Sequence, residues 1–333
     1  MDVISFLKDK TRIPVIGAPL FTVSYPELVL AQCKAGIVGS FPALNARPEE
    51  KLDEWISMMK KELEEYKSEN PEEMVAPFAV NQICHHSNNR LEHDMEVCTR
   101  HEVPIIITSL RAPKFVVDSV HSYGGAVIHD VINIRHAKKA VDEGADGLIL
   151  VCAGAGGHAG TLSPFALVRE VREFFDGPIA LSGSISHGAS VLSAQAVGAD
   201  FAYIGTRFIA TKEANASLGY KEAITKYNSD DIVYTDLVTG VKGNYLKPSL
   251  ASAGFDPENL PKLFGSEDLK VTKWGTLKTD FDTMETNLQG VFAAGDIIRG
   301  ASLVVWAIKD GRDAALSIEK YLKTKSLQKT EAA

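Results

Sequence analysis

At 333 residues and 45% apolar, the chain has material for two average domains or for one large α/β barrel, which runs to about 250 residues as one unit. A formal net charge of −8 argues against nucleic acid or an anionic membrane as the main partner. No segment approaches about 20 consecutive apolar residues, and the first ten residues carry acidic side chains with no signal-peptide core. Cys33, Cys84, Cys98 and Cys152 have no metal-ligand spacing, so a cytoplasmic protein with reduced thiols and no metal is expected.

Taken in chain order, short apolar runs predict strands at Ile13–Ala18, Ile37–Phe41, Phe78–Gln82, Ile105–Ser109, Ala126–Asp130, Gly147–Cys152, Pro178–Gly183 and Phe201–Gly205. Amphipathic stretches between them predict helices over Glu49–Glu65, Asn88–Arg100, Pro113–His121, Ile134–Glu143, Pro164–Phe175 and Gly188–Val197. Strands alternating with helices of this length imply right-handed βαβ units and a parallel sheet. Eight such strands close a barrel, so the expected fold is an α/β (β/α)8 TIM barrel whose last strand ends near Phe208.

In that fold the chemistry sits on loops after the strand C-termini. The first strand delivers Ala18, Pro19 and Leu20, the third Asn81, and the fourth Thr108 and Ser109. The fifth ends in His129 and Asp130, of which His129 faces either a cofactor or the barrel wall. The sixth opens into Val151-Cys152-Ala153-Gly154-Ala155-Gly156-Gly157-His158-Ala159-Gly160, one imidazole in a loop of small residues. Glycines there let a backbone approach a flat or phosphorylated ligand, and a histidine can titrate near neutrality or hydrogen-bond a reacting group.

The loop also satisfies the G-x-G-x-x-G/A dinucleotide fingerprint formally. That fingerprint requires the helix to begin within it. Here Ser163 and Pro164 place the helix start further on, so the glycine loop stands as a separate element. Gly183-Ser184 after the seventh strand and Gly205-Thr206 after the eighth lie where barrels commonly hold a phosphate. The other histidines, His85, His86 and His187, suit solvated or helix-start roles, and no pair has zinc spacing.

Ala18-Pro19, Phe78-Ala79-Val80-Asn81, Gly156-Gly157-His158-Ala159-Gly160, Ser182-Gly183-Ser184-Ile185 and Ile204-Gly205-Thr206-Arg207-Phe208 occur in the order seen in nitronate monooxygenases. From about residue 10 to about residue 265 the chain resembles that family of FMN-dependent (β/α)8 barrels. The resemblance implies that Ala18, Pro19 and Leu20 line the isoalloxazine and that Asn81 hydrogen-bonds it. His129 is grouped with these cofactor contacts, while Gly156 and Gly157 flank the cofactor. Gly183, Ser184, Gly205 and Thr206 would hold its phosphate, and His158 would be the catalytic base or the group that orients substrate. Many relatives have Gln where Val151 stands, and some have Lys where Asp130 stands. The implied reaction is oxidation of an alkyl nitronate by O₂ to a carbonyl compound and nitrite.

Related barrels with the same glycine–histidine loop are NAD(P)H-dependent flavin reductases acting on quinones or enoyl thioesters, which is the alternative reading. A flavin-binding protein without turnover is a third. A homo-oligomer is compatible with either enzyme.

Beyond residue 265 the character changes, which divides the chain into a barrel over 1–265 and a tail over 266–333. Gly290–Asp296 reads as an apolar strand, and a helix is predicted from Ala301 to Leu322. This appended strand–helix segment resembles the end of the FAD- and NADPH-binding domain of the glutamate synthase small subunit, where Asp296 would contact FAD. The first βαβ unit of that domain, with its glycine fingerprint, has no counterpart here, so the tail is expected not to bind FAD.

Overall fold

The computed structural model describes residues 2–85, 88–111, 114–238, 242–260, 269–272, 275–299 and 304–331. The chain forms two compact units, one of Met1–Asp236 with Val241–Asn259 and one of Leu237–Gly240 with Leu260–Ala333. The boundary expected at residue 265 lies outside the described residues.

The first unit is built on parallel strands β1 (Val15–Gly17), β2 (Gly39–Pro42), β3 (Phe78–Ile83), β4 (Ile105–Ser109), β5 (Ala126–Val131) and β6 (Gly147–Val151). A two-residue strand, β7 (Gly157–His158), stands apart from them, and β8 (Ile179–Ser182) and β9 (Phe201–Ile204) complete the set. The order β1-β9-β8-β6-β5-β4-β3-β2 is that of a ring. It closes where Ile16 bridges Val38: Gly17 N–H donates to Val38 O at 2.8 Å and Val38 N–H to Val15 O at 3.2 Å. The molecule is a (β/α)8 barrel.

Strands covered on both faces are apolar at nearly every position rather than alternating, which is why their runs stand out in the sequence. The alternation is between two cores instead. Ile16, Ala79, Ile105, Ile107, Ile128, Ile149, Ala180, Phe201 and Tyr203 fill the barrel interior. Val3 and Leu7 of the helix Val3–Lys8 join this cluster, so the N-terminal helix packs into the barrel interior. Val80, Ile106 and Val127 face one outer helical layer, and Leu148, Leu150, Ile179 and Leu181 another.

Two local details, the end of the last barrel strand and a hairpin after it, depart from the sequence expectation. The last barrel strand ends at Ile204, because Thr206–Ile209 already turns helical. The helix expected from Pro113 is described from Lys114 to Ser122, Pro113 lying outside the described residues. A hairpin of β10 (Ile232–Thr235) and β11 (Gly243–Leu246) follows the barrel, and β11 pairs antiparallel with β7.

In the second unit Met284, Ile298 and Ala314 form a small core with Leu277, Ala293 and Ala294. Residues 290–296 do not form the expected strand. Phe292 makes one antiparallel bridge to Glu285, and Asp296 opens the helix Asp296–Arg299. A long helix is described over Val304–Glu331, with Ala301 and Leu303 outside the described residues. Arg299 donates from Nε and Nη2 to both carboxylate oxygens of Asp310, at 2.6 and 2.7 Å, and Phe281 lies beneath its guanidinium. Among the described residues no helix is long and apolar enough to cross a membrane.

Candidate functional site

The loops after β6, β8 and β9 meet at the C-terminal face of the barrel. Cys152 N–H donates to Ser182 O at 3.0 Å, and Ser184 N–H returns a bond to Gly154 O at 3.1 Å. Gly183 adopts φ +140°, and a Cβ there would stand 2.7 Å from Ala153 O. A Cβ at Gly156 would stand 3.0 Å from Thr206 Oγ1. The glycine loop therefore touches both segments assigned to a phosphate. Gly156, Gly157, Ser184 and Thr206 remain exposed on this rim. The single-turn helix Thr206–Ile209 follows Gly205, whose carbonyl accepts from Phe208 N–H at 2.9 Å.

Ala18, Pro19 and Leu20 enter from β1, all partly exposed. Ala18 N–H bonds Ile204 O at 2.8 Å. Leu20 is pinned from both sides, its N–H on Ser24 Oγ (2.9 Å) and its carbonyl accepting from Asn45 Nδ2 (3.1 Å). A Cβ at Gly205 would lie 3.1 Å from the Leu20 side chain, which joins the β1 loop to the β9 loop.

Asn81, on the interior face of β3, donates through Nδ2 to Ile107 O (3.2 Å) and to Ser109 Oγ (2.9 Å). Ser109 Oγ in turn donates to Asp130 Oδ2 at 2.6 Å. This chain crosses β3, β4 and β5 and ends on a carboxyl group. Burial pushes the Asp130 carboxyl up to about 6, while the Ser109 bond works in the opposite direction. Asp130 Oδ1 is buried with no hydrogen-bond partner among the described residues. Tyr203, inside the barrel on β9, has its phenol pushed well up by burial and by the Asp130 charge.

His129 leaves the same strand on the other face. Its Nδ1 lies 2.8 Å from Thr108 Oγ1, and both side chains are buried in the wall between sheet and helices. Burial lowers this imidazole to about 4. Counting in twos from Ile128, which the folded ring shows to be interior, places Asp130 inward and His129 outward. His129 is thus not brought together with the other proposed cofactor contacts.

The main chain of His158 is placed in β7, while its side chain lies outside what the structure describes. Gly243 pairs with His158 and Asn244 with Gly157. Asn244 Nδ2 donates to Ala155 O at 2.7 Å, and Tyr234 OH to Ala159 O at 3.1 Å. This clasp on the loop lies outside the sequence expectation. Its signal is the β-branched and aromatic run Ile232-Val233-Tyr234-Thr235, followed after a gap by Gly243-Asn244-Tyr245-Leu246.

The rim suits a flat, phosphorylated group. Backbone carrying no side chain, exposed hydroxyls on Ser184 and Thr206, and the unpartnered Asp130 Oδ1 all lie on the inner or upper face of the strand ends. Among the described residues no three His, Cys, Asp or Glu side chains are grouped to hold a metal.

A parallel (β/α)8 barrel with its polar residues gathered on the loops after β6, β8 and β9 defines an enzyme-type scaffold with a cofactor rim. The sequence pattern of nitronate monooxygenases matches residues 5–250, and the chain belongs to that family, whose members are flavin-dependent oxidoreductases. It is 24% identical to the nitronate monooxygenase of Paraburkholderia phytofirmans over 288 residues, covering 74% of this chain and 76% of that one. FabK from Thermotoga maritima superposes with a TM-score of 0.63 at 26% identity, covering 73% of each chain.

Part of the chain has other relatives. It is 61% identical over 77 residues to the glutamate synthase [NADPH] small chain of Azospirillum brasilense, which is 23% of this chain and 16% of that protein. A glutamate synthase small chain of Cereibacter sphaeroides matches at 42% over 137 residues, one third of its length.

Proposed function

We propose that the barrel binds FMN and oxidises alkyl nitronates with O₂ to carbonyl compounds and nitrite. The observation that carries this reading is the meeting of the β6, β8 and β9 loops, with Gly156 against Thr206 and Gly154 against Ser184, inside the family match. Gly183, Ser184, Gly205 and Thr206 would hold the phosphate. Ala18, Pro19 and Leu20 would lie along the ring, with Asn81 at its edge and Gly156 and Gly157 beside it. FMN supplies the electron transfer.

The rest is the work of this chain. The β11 clasp holds the main chain of His158 at the rim. From there His158 orients the substrate oxygens or takes a proton, a task that contributes about 10²–10⁴-fold in typical enzymes. The protein is proposed to act in the cytoplasm without nucleic acid or a membrane as partner, and its tail is proposed not to bind FAD.

The test is direct. The flavin extracted from the purified chain is expected to be FMN, and aerobic incubation with ethylnitronate is expected to release nitrite. His158→Ala should keep the flavin and lose about 10²–10⁴-fold in kcat/KM. Released FAD, or full activity in that variant, contradicts the assignment.

A second reading is an NAD(P)H-dependent flavin reductase acting on quinones or enoyl thioesters. The likeness to FabK, at 26% identity, supports it as well as the 24% relative supports the first. Rapid anaerobic bleaching of the flavin by NADH, with no response to nitronate, selects it.

A further inference from the structure

The long helix Val304–Glu331 of the second unit carries two distinct faces. One belongs to the small core of that unit: Asp310 and Ala314 are buried, and Tyr321 packs edge-on against Phe292. The other is made of Ile308, Gly311, Ala315, Ile318 and Leu322, a spacing of three and four that returns every seven residues. At 3.6 residues per turn this stripe is centred about 120° round the helix from the core face, so the unit's own core is turned away from it. Ile308, Ile318 and Leu322 are 54%, 39% and 59% exposed, and Gly311 and Ala315 are exposed between them.

Gly311 has no use within the chain. Glycine inside a helix costs stability relative to alanine, and what it offers in return is close approach by another element. A Cβ at Gly311 would meet nothing within 4 Å, and its φ is not left-handed. The room that it clears lies outside, one turn from Ala315. Small residues thus occupy the first half of the stripe and bulky ones, Ile318 and Leu322, the second half.

We propose that this stripe is the seam of an antiparallel helix pair formed with a second copy of this chain. Turned end for end, Ile318 of each copy lies opposite Ala315 of the other, and Leu322 lies opposite Gly311. Bulky side chains then fill the room that small ones leave. The same register sets Arg312 of each copy beside Glu319 of the other, on the flank of the seam away from both cores. Arg312 is exposed and makes no ion pair among the described residues, while Lys323 holds Glu319 at 2.6 Å on its own helix. A two-fold contact repeats each interaction, so two such ion pairs form.

A parallel pair would use the same stripe badly. Gly311 would face Gly311 and Leu322 would face Leu322, and neither Arg312 nor Glu319 would meet its opposite charge. Size and charge together select the antiparallel second copy. From Ile308 to Leu322 the seam is about 21 Å long. That is the small end of specific interfaces, which makes the pairing reversible and dependent on concentration.

The test is analytical ultracentrifugation of the purified full chain over roughly 1–200 µM. Wild type is expected to move to twice the mass as concentration rises. Ile318→Lys and Leu322→Glu are expected to stay at the lower mass throughout, with circular dichroism like that of wild type because both side chains are exposed. Charge exchange is the sharper arm. Arg312→Glu or Glu319→Arg alone sets like charges together and should weaken pairing at least about 10-fold. The double variant should restore it, as no parallel pair would.

A wild-type mass that stays that of one chain at every concentration overturns the inference and leaves the stripe to a different protein. A higher mass that Ile318→Lys does not halve overturns it too, because the copies then meet through another surface. Failure of the double variant to recover removes the antiparallel register, and the inference with it. Should an apolar variant lose helix content, the exchange of the two exposed charges decides alone.

Discussion

Residues 129 and 130 sit side by side in β5, yet burial moves them in opposite directions along the pH axis. The His129 imidazole falls from 6.5 to about 4, and the Asp130 carboxyl rises from 3.8 to about 6. For His129 the unfolded chain binds more protons between these limits. Its contribution to stability is therefore complete above 6.5 and is lost as pH falls towards 4. For Asp130 the folded chain binds more protons, so its contribution is complete below 3.8 and is lost as pH rises through 6. At about pH 5 each group carries a mismatch of about 0.9 proton, equivalent to a slope of about 1.2 kcal/mol per pH unit, with opposite signs.

The two slopes cancel, so the pair itself adds almost no pH dependence to wild-type stability across this window. Either substitution breaks the balance. Relative to wild type, Asp130→Asn should become more stable as pH rises, by about 1 kcal/mol per unit between about pH 4.5 and 5.5. His129→Asn should change by a similar amount in the other direction. Urea unfolding followed by circular dichroism across that range measures both, and taking differences from wild type cancels the remaining carboxylates. Two difference curves that are flat, or that slope the same way, would refute the opposed burial of these neighbours.

Other consequences can be checked separately. Gly183→Ala forces a side chain into φ +140° and against Ala153 O, so it should cost about 1–3 kcal/mol and lower flavin occupancy, read by unfolding and by absorbance. Thr108→Val leaves His129 Nδ1 unpaired in the wall and should destabilise by about 1–3 kcal/mol, with the flavin spectrum unchanged. Burial pushes the thiols of Cys33, Cys84, Cys98 and Cys152 up to about 12. The native protein should therefore react slowly with a thiol reagent and release all four groups on denaturation.

Much of the barrel is legible in the chain because its strands are buried on both faces. Runs such as Ile105-Ile106-Ile107 and Leu148-Ile149-Leu150 then stand out without any alternation to decode. The same property hides which face each residue takes. Nothing in an all-apolar run separates inward from outward, and only the period of two, anchored on the folded ring, sends Asp130 in and His129 out. The hairpin is faint in the sequence because half of it is short and polar, and its pairing partner is a strand of two residues. In the tail, Gly290–Asp296 looks like a strand by composition. Yet Phe292 packs edge-on against Tyr321 and Ala293 joins the small core around Met284, so the segment is shaped by side-chain packing rather than by a ladder.

The clasp of β11 on β7 has a consequence for how the site comes into being. All eight staves of the barrel lie between residues 15 and 204, so the scaffold is complete without anything that follows. The main-chain partners of Gly157 and His158 arrive only with Gly243 and Asn244, and the Asn244 bond to Ala155 spans 89 residues. Long-range pairings of this kind form late in folding, and small exposed sheets open before a barrel does. The reactive loop therefore shares the fate of its hairpin. In hydrogen exchange, the Ala159 amide, held by Lys242 O, should lose protection together with β11 while the amides of β4 and β5 stay closed.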